Sequence, residues 1–328
     1  QHCHPLLDEH PEWFCTDSAG TVTGMYTKAF DNAHPGWQRW FLDHALDILR
    51  RLDADGFRLD APTYNYFHNW SPRTRTNAAV SMLGCLRLFA DLRRELLAER
   101  PDALLYTEPS GVLHRVSMDL NYNYDEQWLV LALMRGGAGR PHWARNAREV
   151  AEWFAERDAA LPPGSLAAHH LDSHDSFWWP EWGTKWRREQ YGVPAATALM
   201  TLFALSGGPW MQFVGGEQEM EEAVRAVNRL RLERTFYADG RSDHEAVAVD
   251  SDDVYAVLRS SPAGRGVVLV EAAGRQQDVV VRLDLAPWGE DDLATVDALA
   301  GRTVTWTVED ARPVARLALG PYERLAVE

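Results

Sequence analysis

Three short segments of this chain each end an apolar run on a carboxylate, and they constrain its fold more than any other feature. The segments are Asp55–Asp60, Leu104–Glu108 and Leu171–Asp175. Each has the pattern of a buried strand that ends in an acidic residue. Parallel βα barrels bring the carboxyl ends of their strands together at one mouth, where functional side chains lie. The sequence therefore predicts a barrel with Asp60, Glu108 and Asp175 at one pocket.

The rest of the sequence alternates between helical and strand-like patterns, as a βα architecture requires. Helices are predicted over residues 35–51, 77–99, 126–135, 144–159, 184–191, 194–205 and 219–233. Strands are predicted over 54–60, 103–107, 116–122, 166–173 and 210–214. From residue 243 onward, short β-rich runs punctuated by Gly, Pro and Asp predict a small antiparallel domain. We thus expect a barrel portion at 1–242, which opens with a loop at 1–35, and a sandwich-like β-domain at 243–328.

The acidic segments resemble those of the α-amylase family, glycoside hydrolase family 13. That family has Gly-Phe-Arg-x-Asp after its fourth strand, a Glu at the end of its fifth and His-Asp at the end of its seventh. Gly56–Asp60, Glu108 and His174–Asp175 match these motifs in the same order. The segment 207–217 also resembles the end of the family's eighth strand, with one extra residue between its Pro and its Glu. The resemblance implies a partial (β/α)8 barrel, about strands 4–8, followed by a C-terminal antiparallel β-domain.

The resemblance also implies a retaining mechanism, in which an ionised carboxylate lies about 5 Å from a protonated carboxylic acid. Asp60 is then the nucleophile, Glu108 the acid/base, and Asp175 the carboxylate that stabilises the positively charged transition state. His174 would bind the same sugar. Arg58 precedes Asp60 by two residues, so both side chains share one face of the strand. A guanidinium there would keep Asp60 ionised, whereas an apolar setting would keep Glu108 protonated.

Aromatic residues near these segments predict where sugar rings bind. Tyr64 follows the first acidic segment and Trp178 follows the third, and flat aromatic faces suit sugar rings. The family's basic-His pair after the nucleophile is replaced by Pro62-Thr63-Tyr64. This difference leaves transglycosylation, or a short oligosaccharide substrate, open beside hydrolysis of α-glucans.

Other interpretations of the same residues remain open at this point. Arg58 and Asp60 are also compatible with a structural ion pair at a strand end, and Glu108 with a capping residue before Pro109-Ser110-Gly111. A separate alternative is a degenerate or truncated member that binds sugar without catalysis. His170, Asp172 and His174 alternate along the predicted strand 166–173, which would put them on one face as a metal site of a barrel metallohydrolase. The His10–Phe14 run is also compatible with an α-galactosidase-type barrel. Those enzymes typically carry Lys-x-Asp at the nucleophile, whereas this chain has Arg58-Leu59-Asp60.

Composition narrows the class of partner. The net charge of −15 argues against binding to nucleic acid or an anionic membrane, since both favour basic patches. The sequence has no run of eighteen apolar residues, which predicts that no segment spans a membrane. Its three cysteines give no disulfide framework; Cys85 is predicted in the core, and a Cys3–Cys15 bridge stays open. We expect a carbohydrate partner and no cofactor, and the sequence leaves a structural calcium ion open.

The start of the chain departs from the family pattern. About three βα units and an Asp-x-x-x-Asn-His segment would precede residue 1, which is Gln. We therefore expect residue 1 to lie inside a longer protein. Residues 1–328 alone are expected to be inactive and poorly folded, because five of eight barrel strands leave open edges.

Overall fold

The chain forms two compact units in a computed structural model. The first comprises Gln1–Asn123 with Leu161–Ala167, and the second comprises Tyr124–Ala160 with Ala168–Glu328. The structure describes residues 4–25, 27–60, 62, 67–71, 78–108, 113–122, 125–136, 144–162, 164–178, 184–284 and 294–328.

The first unit builds a helix-covered parallel sheet. Its helices are α1 (Leu6–Glu9), α2 (Pro35–Leu52), α3 (Ala78–Met82) and α4 (Gly84–Glu99), and its strands are β1 (Gly56–Leu59), β2 (Leu104–Thr107) and β3 (Leu120–Tyr122). Helix α2 begins at Pro35, where the His34 side chain accepts a hydrogen bond from the Gly36 amide, and it ends at Asp53 in the left-handed conformation. Apolar residues of α2 and α4 pack on β2 in one core. Burial of these faces positions β1 and β2.

The second unit continues the alternation and adds the β-domain. Its helices are α5 (Asp125–Met134), α6 (Ala147–Ala160), α7 (His174–Trp178), α8 (Arg187–Tyr191), α9 (Val193–Leu205) and α10 (Glu221–Glu233). Its parallel strands are β4 (Leu166–His170), whose first two residues belong to the first unit, and β5 (Trp210–Met211). The parallel strands follow the chain in the order β1-β2-β3-β4-β5.

Antiparallel strands occupy the remainder of the second unit. They are β6 (Arg241–Asp243), β7 (Val247–Val249), β8 (Val254–Ser261), β9 (Gly264–Glu271), β10 (Gln277–Leu283), β11 (Ala294–Val296), β12 (Thr303–Glu309), β13 (Arg312–Leu319) and β14 (Arg324–Val327). They form two sheets, with orders β11-β12-β13-β10-β7 and β14-β9-β8-β6. Both sheets contribute to one apolar core, as a sandwich requires.

Strand β8 shows why the β-domain and the preceding helices form one compact unit. Val254, Ala256 and Leu258 face the core between the two sheets. Tyr255 and Val257 face the opposite way, into a core with residues of α6, α9 and α10. This sheet is therefore buried on both faces, which accounts for the continuous apolar run Val254–Leu258.

Several predicted elements begin, end or break differently in the structure. The predicted strand 210–214 stops at Met211, and the predicted helix 184–191 begins only at Arg187. The predicted strand 166–173 is wrong in its end, since β4 stops at His170. The predicted strand 116–122 begins only at Leu120, because His114–Val116 is a 3-10 helix. The predicted helix 77–99 is divided at Leu83. There Gly84 approaches the backbone of Asn32 and Ala33 so closely that a Cβ would lie 2.2 Å from the Ala33 nitrogen.

Within the described residues, no helix combines the length and the apolarity that a membrane span needs.

Candidate active site

Adjacent ends of β1 and β2 carry Asp60 and Glu108. The two strands are parallel, with Arg58 opposite Tyr106, and the Glu108 amide donates to the Leu59 carbonyl at 3.3 Å. Gly56 begins β1 at a φ of 149°, and a Cβ there would lie 1.9 Å from the Leu104 carbonyl oxygen. Glycine is therefore required for this register, which brings the two acidic residues to the same strand edge.

The Arg58 guanidinium binds both carboxylates. Its Nη1 donates to Asp60 Oδ1 at 2.7 Å, and its Nη2 donates to Glu108 Oε1. The Asp60 side chain is 72% exposed, whereas that of Glu108 is 4% exposed. One fixed fork thus holds an open carboxylate and a buried one at neighbouring strand ends.

The contact between Arg58 and Glu108 was missed by the sequence reasoning, which found no basic residue beside Glu108 in sequence. Pairing between the parallel strands brings Arg58 to it. The signal that could have revealed this contact is the position of both residues near the ends of consecutive parallel strands. Glu108 was expected in an apolar setting near other carboxylates; in the structure it is a buried carboxylate bound by a cation, Arg58.

Tyr106 is a second residue that the sequence reasoning did not single out. It lies on the same face of β2 as Glu108, and its side chain forms a hydrogen bond with Arg58. Since a guanidinium only donates, the Tyr106 hydroxyl accepts this bond. Burial raises the pKa of Tyr106 to about 12, so the phenol stays neutral. Tyr106 is a third hydrogen-bond partner of Arg58, besides Asp60 and Glu108.

His174 and Asp175 belong to the second unit and open helix α7 instead of ending a strand. The Ser173 amide donates to Ser176 Oγ at 2.9 Å, and the Ser176 amide donates to the Ser173 carbonyl at 3.1 Å. These bonds begin the helix and so prevent the strand from continuing. His174 Nε2 lies 3.4 Å from Asp175 Oδ2, and the two side chains are 59% and 13% exposed.

The alternation behind the metal-site alternative is absent, because β4 ends at His170. The His170 ring is buried beside Glu126. The buried Asp172 accepts a hydrogen bond from the Arg187 amide at 3.0 Å, and burial raises its pKa. His174 lies on α7 and is mostly exposed. The three residues therefore do not share a strand face, contrary to the prediction.

Two other predicted residues have different outcomes. Trp178 ends α7 and is 77% exposed, which leaves its ring accessible. Tyr64 lies outside the described residues, as does Cys3. Cys15 and Cys85 are buried free cysteines.

Solved structures with the same fold are α-amylases and a debranching enzyme. A noncanonic maltogenic α-amylase from Thermotoga neapolitana is 16% identical, with 98% of this chain and 73% of that one covered and a TM-score of 0.71. The α-amylase from Geobacillus thermoleovorans, complexed with acarbose, is 15% identical, with coverages of 99% and 73% and a TM-score of 0.70. A debranching enzyme from Nostoc punctiforme is 16% identical, with coverages of 99% and 72% and a TM-score of 0.66.

The fold is that of the α-amylases. No protein-family model matches the sequence, and no curated protein matches it. The predicted fold class, a partial barrel followed by an antiparallel β-domain, is confirmed. The described parallel strands form an open sheet of five.

Proposed function

We propose that the protein is a retaining glycoside hydrolase or transglycosylase that acts on α-glucosidic bonds of α-glucans or oligosaccharides. The observation that carries the proposal is the Arg58 fork, which holds Asp60 and Glu108 at the ends of adjacent parallel strands. A retaining enzyme needs two carboxyl groups about 5 Å apart, and two carboxylates bound to one guanidinium suit that separation. The fold shared with α-amylases, one of them complexed with acarbose, supports the substrate class.

Asp60 is the nucleophile in this proposal. Its side chain is open to a ligand and is bound by the Arg58 guanidinium, and its carboxylate attacks the anomeric carbon. The attack breaks the bond to the leaving oxygen and forms a glycosyl ester on Asp60. A water molecule or a second sugar then displaces that ester.

Glu108 is the acid/base. It gives its proton to the leaving oxygen in the first step and removes one from water or a sugar hydroxyl in the second. In the structure its carboxyl group is bound by Arg58.

Roles are also proposed for two residues of the second unit, Asp175 and His174. Asp175 would bind sugar hydroxyls and stabilise the oxocarbenium-like transition state, with His174 beside it. Trp178 and Tyr64 would stack on sugar rings. No cofactor is proposed, and turnover should persist in a metal chelator.

Two variants of the full-length protein test the mechanism. Asp60→Asn should lower turnover of 4-nitrophenyl α-maltoside by at least about 10⁴-fold, because no glycosyl ester can form. Glu108→Gln should stop maltotriose cleavage while sparing the activated aryl glycoside more, because its leaving group needs less protonation. Asp102→Asn and Glu99→Gln, at exposed or partly exposed acidic positions near the same strand, serve as controls.

The results that would contradict the proposal are distinct. Equal losses on both substrates would exclude Glu108 as the acid. Acarbose binding without turnover by the wild-type protein would support a non-catalytic sugar-binding protein. Loss of turnover in a chelator that Zn²⁺ restores but Ca²⁺ does not would reopen the metallohydrolase.

A further inference from the structure

Glu126, near the start of α5, is a buried carboxylate that binds the end of β4. Its side chain is 1% exposed. One carboxylate oxygen lies 2.5 Å from His169 Nδ1, and the other accepts from the His170 amide at 3.0 Å. Arg157 Nη1 lies 3.6 Å from the first oxygen. A single acidic side chain therefore binds the last two residues of β4, His169 and His170.

The charges around Glu126 indicate which form each group takes. Burial alone would raise the pKa of Glu126, but the two histidines and their hydrogen bonds hold it below its ordinary value. Burial lowers the pKa of His169. Arg157 and Asp158, both on α6, are the other charged groups that act on His169. A neutral imidazole thus donates from Nδ1 to a charged carboxylate.

Apolar rings fix the orientation of this histidine. The His169 ring meets Phe154 of α6 edge-on at 5.2 Å and stacks with Phe203 of α9 at 6.1 Å. Within the part of the chain that the structure describes, His169 Nε2 has no hydrogen-bond partner. The hydrogen bond to Glu126 is therefore the polar contact that orients the ring.

This network is followed directly by a candidate site segment. Leu171 is buried in the core, and His174 and Asp175 follow at the first turn of α7. We propose that Glu126 is a positioning residue, whose carboxylate fixes the end of β4 so that His174 and Asp175 start from a defined backbone position. Glu126 and His169 would thus support the proposed activity indirectly, through the backbone before His174 and Asp175. Only the expected effect on kcat rests on the proposed function.

Hydrogen exchange tests the positioning without any assay of activity. In Glu126→Gln the side chain keeps its size but has one acceptor oxygen in place of two, so it cannot accept hydrogen bonds from both His169 Nδ1 and the His170 amide. Amides of residues 171–178 should then exchange about tenfold faster, while those of 254–261 stay unchanged. Glu152→Gln, an exposed position on α6, should match the wild type. Unchanged exchange at 171–178, or equal acceleration throughout the second unit, would overturn the proposal.

A measurement on the wild-type protein remains decisive if Glu126→Gln fails to fold. Long-range proton–nitrogen NMR should find His169 as the Nδ1–H tautomer, and the Nε2–H tautomer would overturn the proposal.

Kinetics then separate this inference from the proposed function. If the wild type hydrolyses 4-nitrophenyl α-maltoside, Glu126→Gln should lower kcat about tenfold with little change in KM, because Asp175 acts in the transition state. An unchanged kcat would overturn the role in positioning. If the wild type has no activity, the proposed function fails, while exchange and tautomer still decide whether Glu126 positions the segment.

Discussion

Glu108 and Glu126 are two buried glutamates, Glu108 after the end of β2 and Glu126 near the start of α5, and they differ in what binds them. Glu108 is bound by Arg58, which also binds the exposed Asp60. Among the described residues, Glu126 is bound by a strand amide, by two buried histidines and by the largely buried Arg157. The first arrangement leaves one carboxylate open to a ligand, whereas the second holds the backbone. Burial alone therefore does not distinguish a candidate catalytic carboxylate from a structural one. Glu108 differs from Glu126 because its partner Arg58 also binds a solvent-exposed carboxylate, Asp60.

The largest difference between the two regions should be in stability. Glu126→Ala leaves buried histidines and Arg157 without their anion, so it should lower the free energy of unfolding by about 3–5 kcal/mol. Asp60→Ala removes an exposed partner and should change it by less than about 0.5 kcal/mol. Urea denaturation of both variants measures the difference. Equal losses would contradict the distinction between the two regions.

Activity should depend more on the region around Arg58 than on the region around Glu126. Arg58→Lys keeps the charge but loses the fork that binds two carboxylates, so kcat/KM should fall about a hundredfold. Arg50→Lys is the matched control, because Arg50 binds the partly exposed Glu99. A steady-state assay on 4-nitrophenyl α-maltoside compares the two. Full activity of Arg58→Lys would show that the fork is dispensable.

The response to acid should come from buried histidines, among them His244. Burial lowers the pKa of His244 to about 4, below its value in the unfolded chain. The unfolded state then binds more protons between about pH 4 and 6.5, so His244 makes stability fall as the pH falls. His244→Gln should reduce that slope by up to about 1.4 kcal/mol per pH unit. Denaturation at several pH values measures the slope, and His44→Gln, at an exposed position, serves as control. A slope in His244→Gln equal to that of the wild type would contradict the role of His244.

The smallest effect is expected at the exposed Trp178. If its ring stacks on a sugar, Trp178→Ala should raise KM for maltotriose about three- to tenfold, with kcat and stability nearly unchanged. Leu232→Ala, at another exposed apolar residue, should leave KM as it is. A KM equal to that of the wild type would remove Trp178 from the binding site.

Prediction from sequence succeeded where local pattern and structure coincide. Apolar periodicity predicted α2 over 35–51, against Pro35–Leu52 in the structure. The apolar run before Glu108 predicted β2, observed at Leu104–Thr107. Arg58 and Asp60 were paired correctly because residues two apart on a strand share a face.

The failures involve contacts between segments distant in sequence. The end of β4 depends on the serine pair that begins α7 and on Glu126, which precedes His170 by 44 residues. Glu108 finds Arg58 through strand pairing, 50 residues away. No local pattern encodes either contact, so strand ends and the surroundings of buried charges needed the structure.

Covalent trapping tests most directly whether Asp60 forms a glycosyl ester. The full-length protein would be incubated with 5-fluoro-α-glucosyl fluoride, digested and sequenced by mass spectrometry. We expect one fluoroglucosyl group on Asp60 of the wild-type protein, and none in Asp60→Asn. A label on a different carboxylate, or steady turnover by Asp60→Asn, would contradict it.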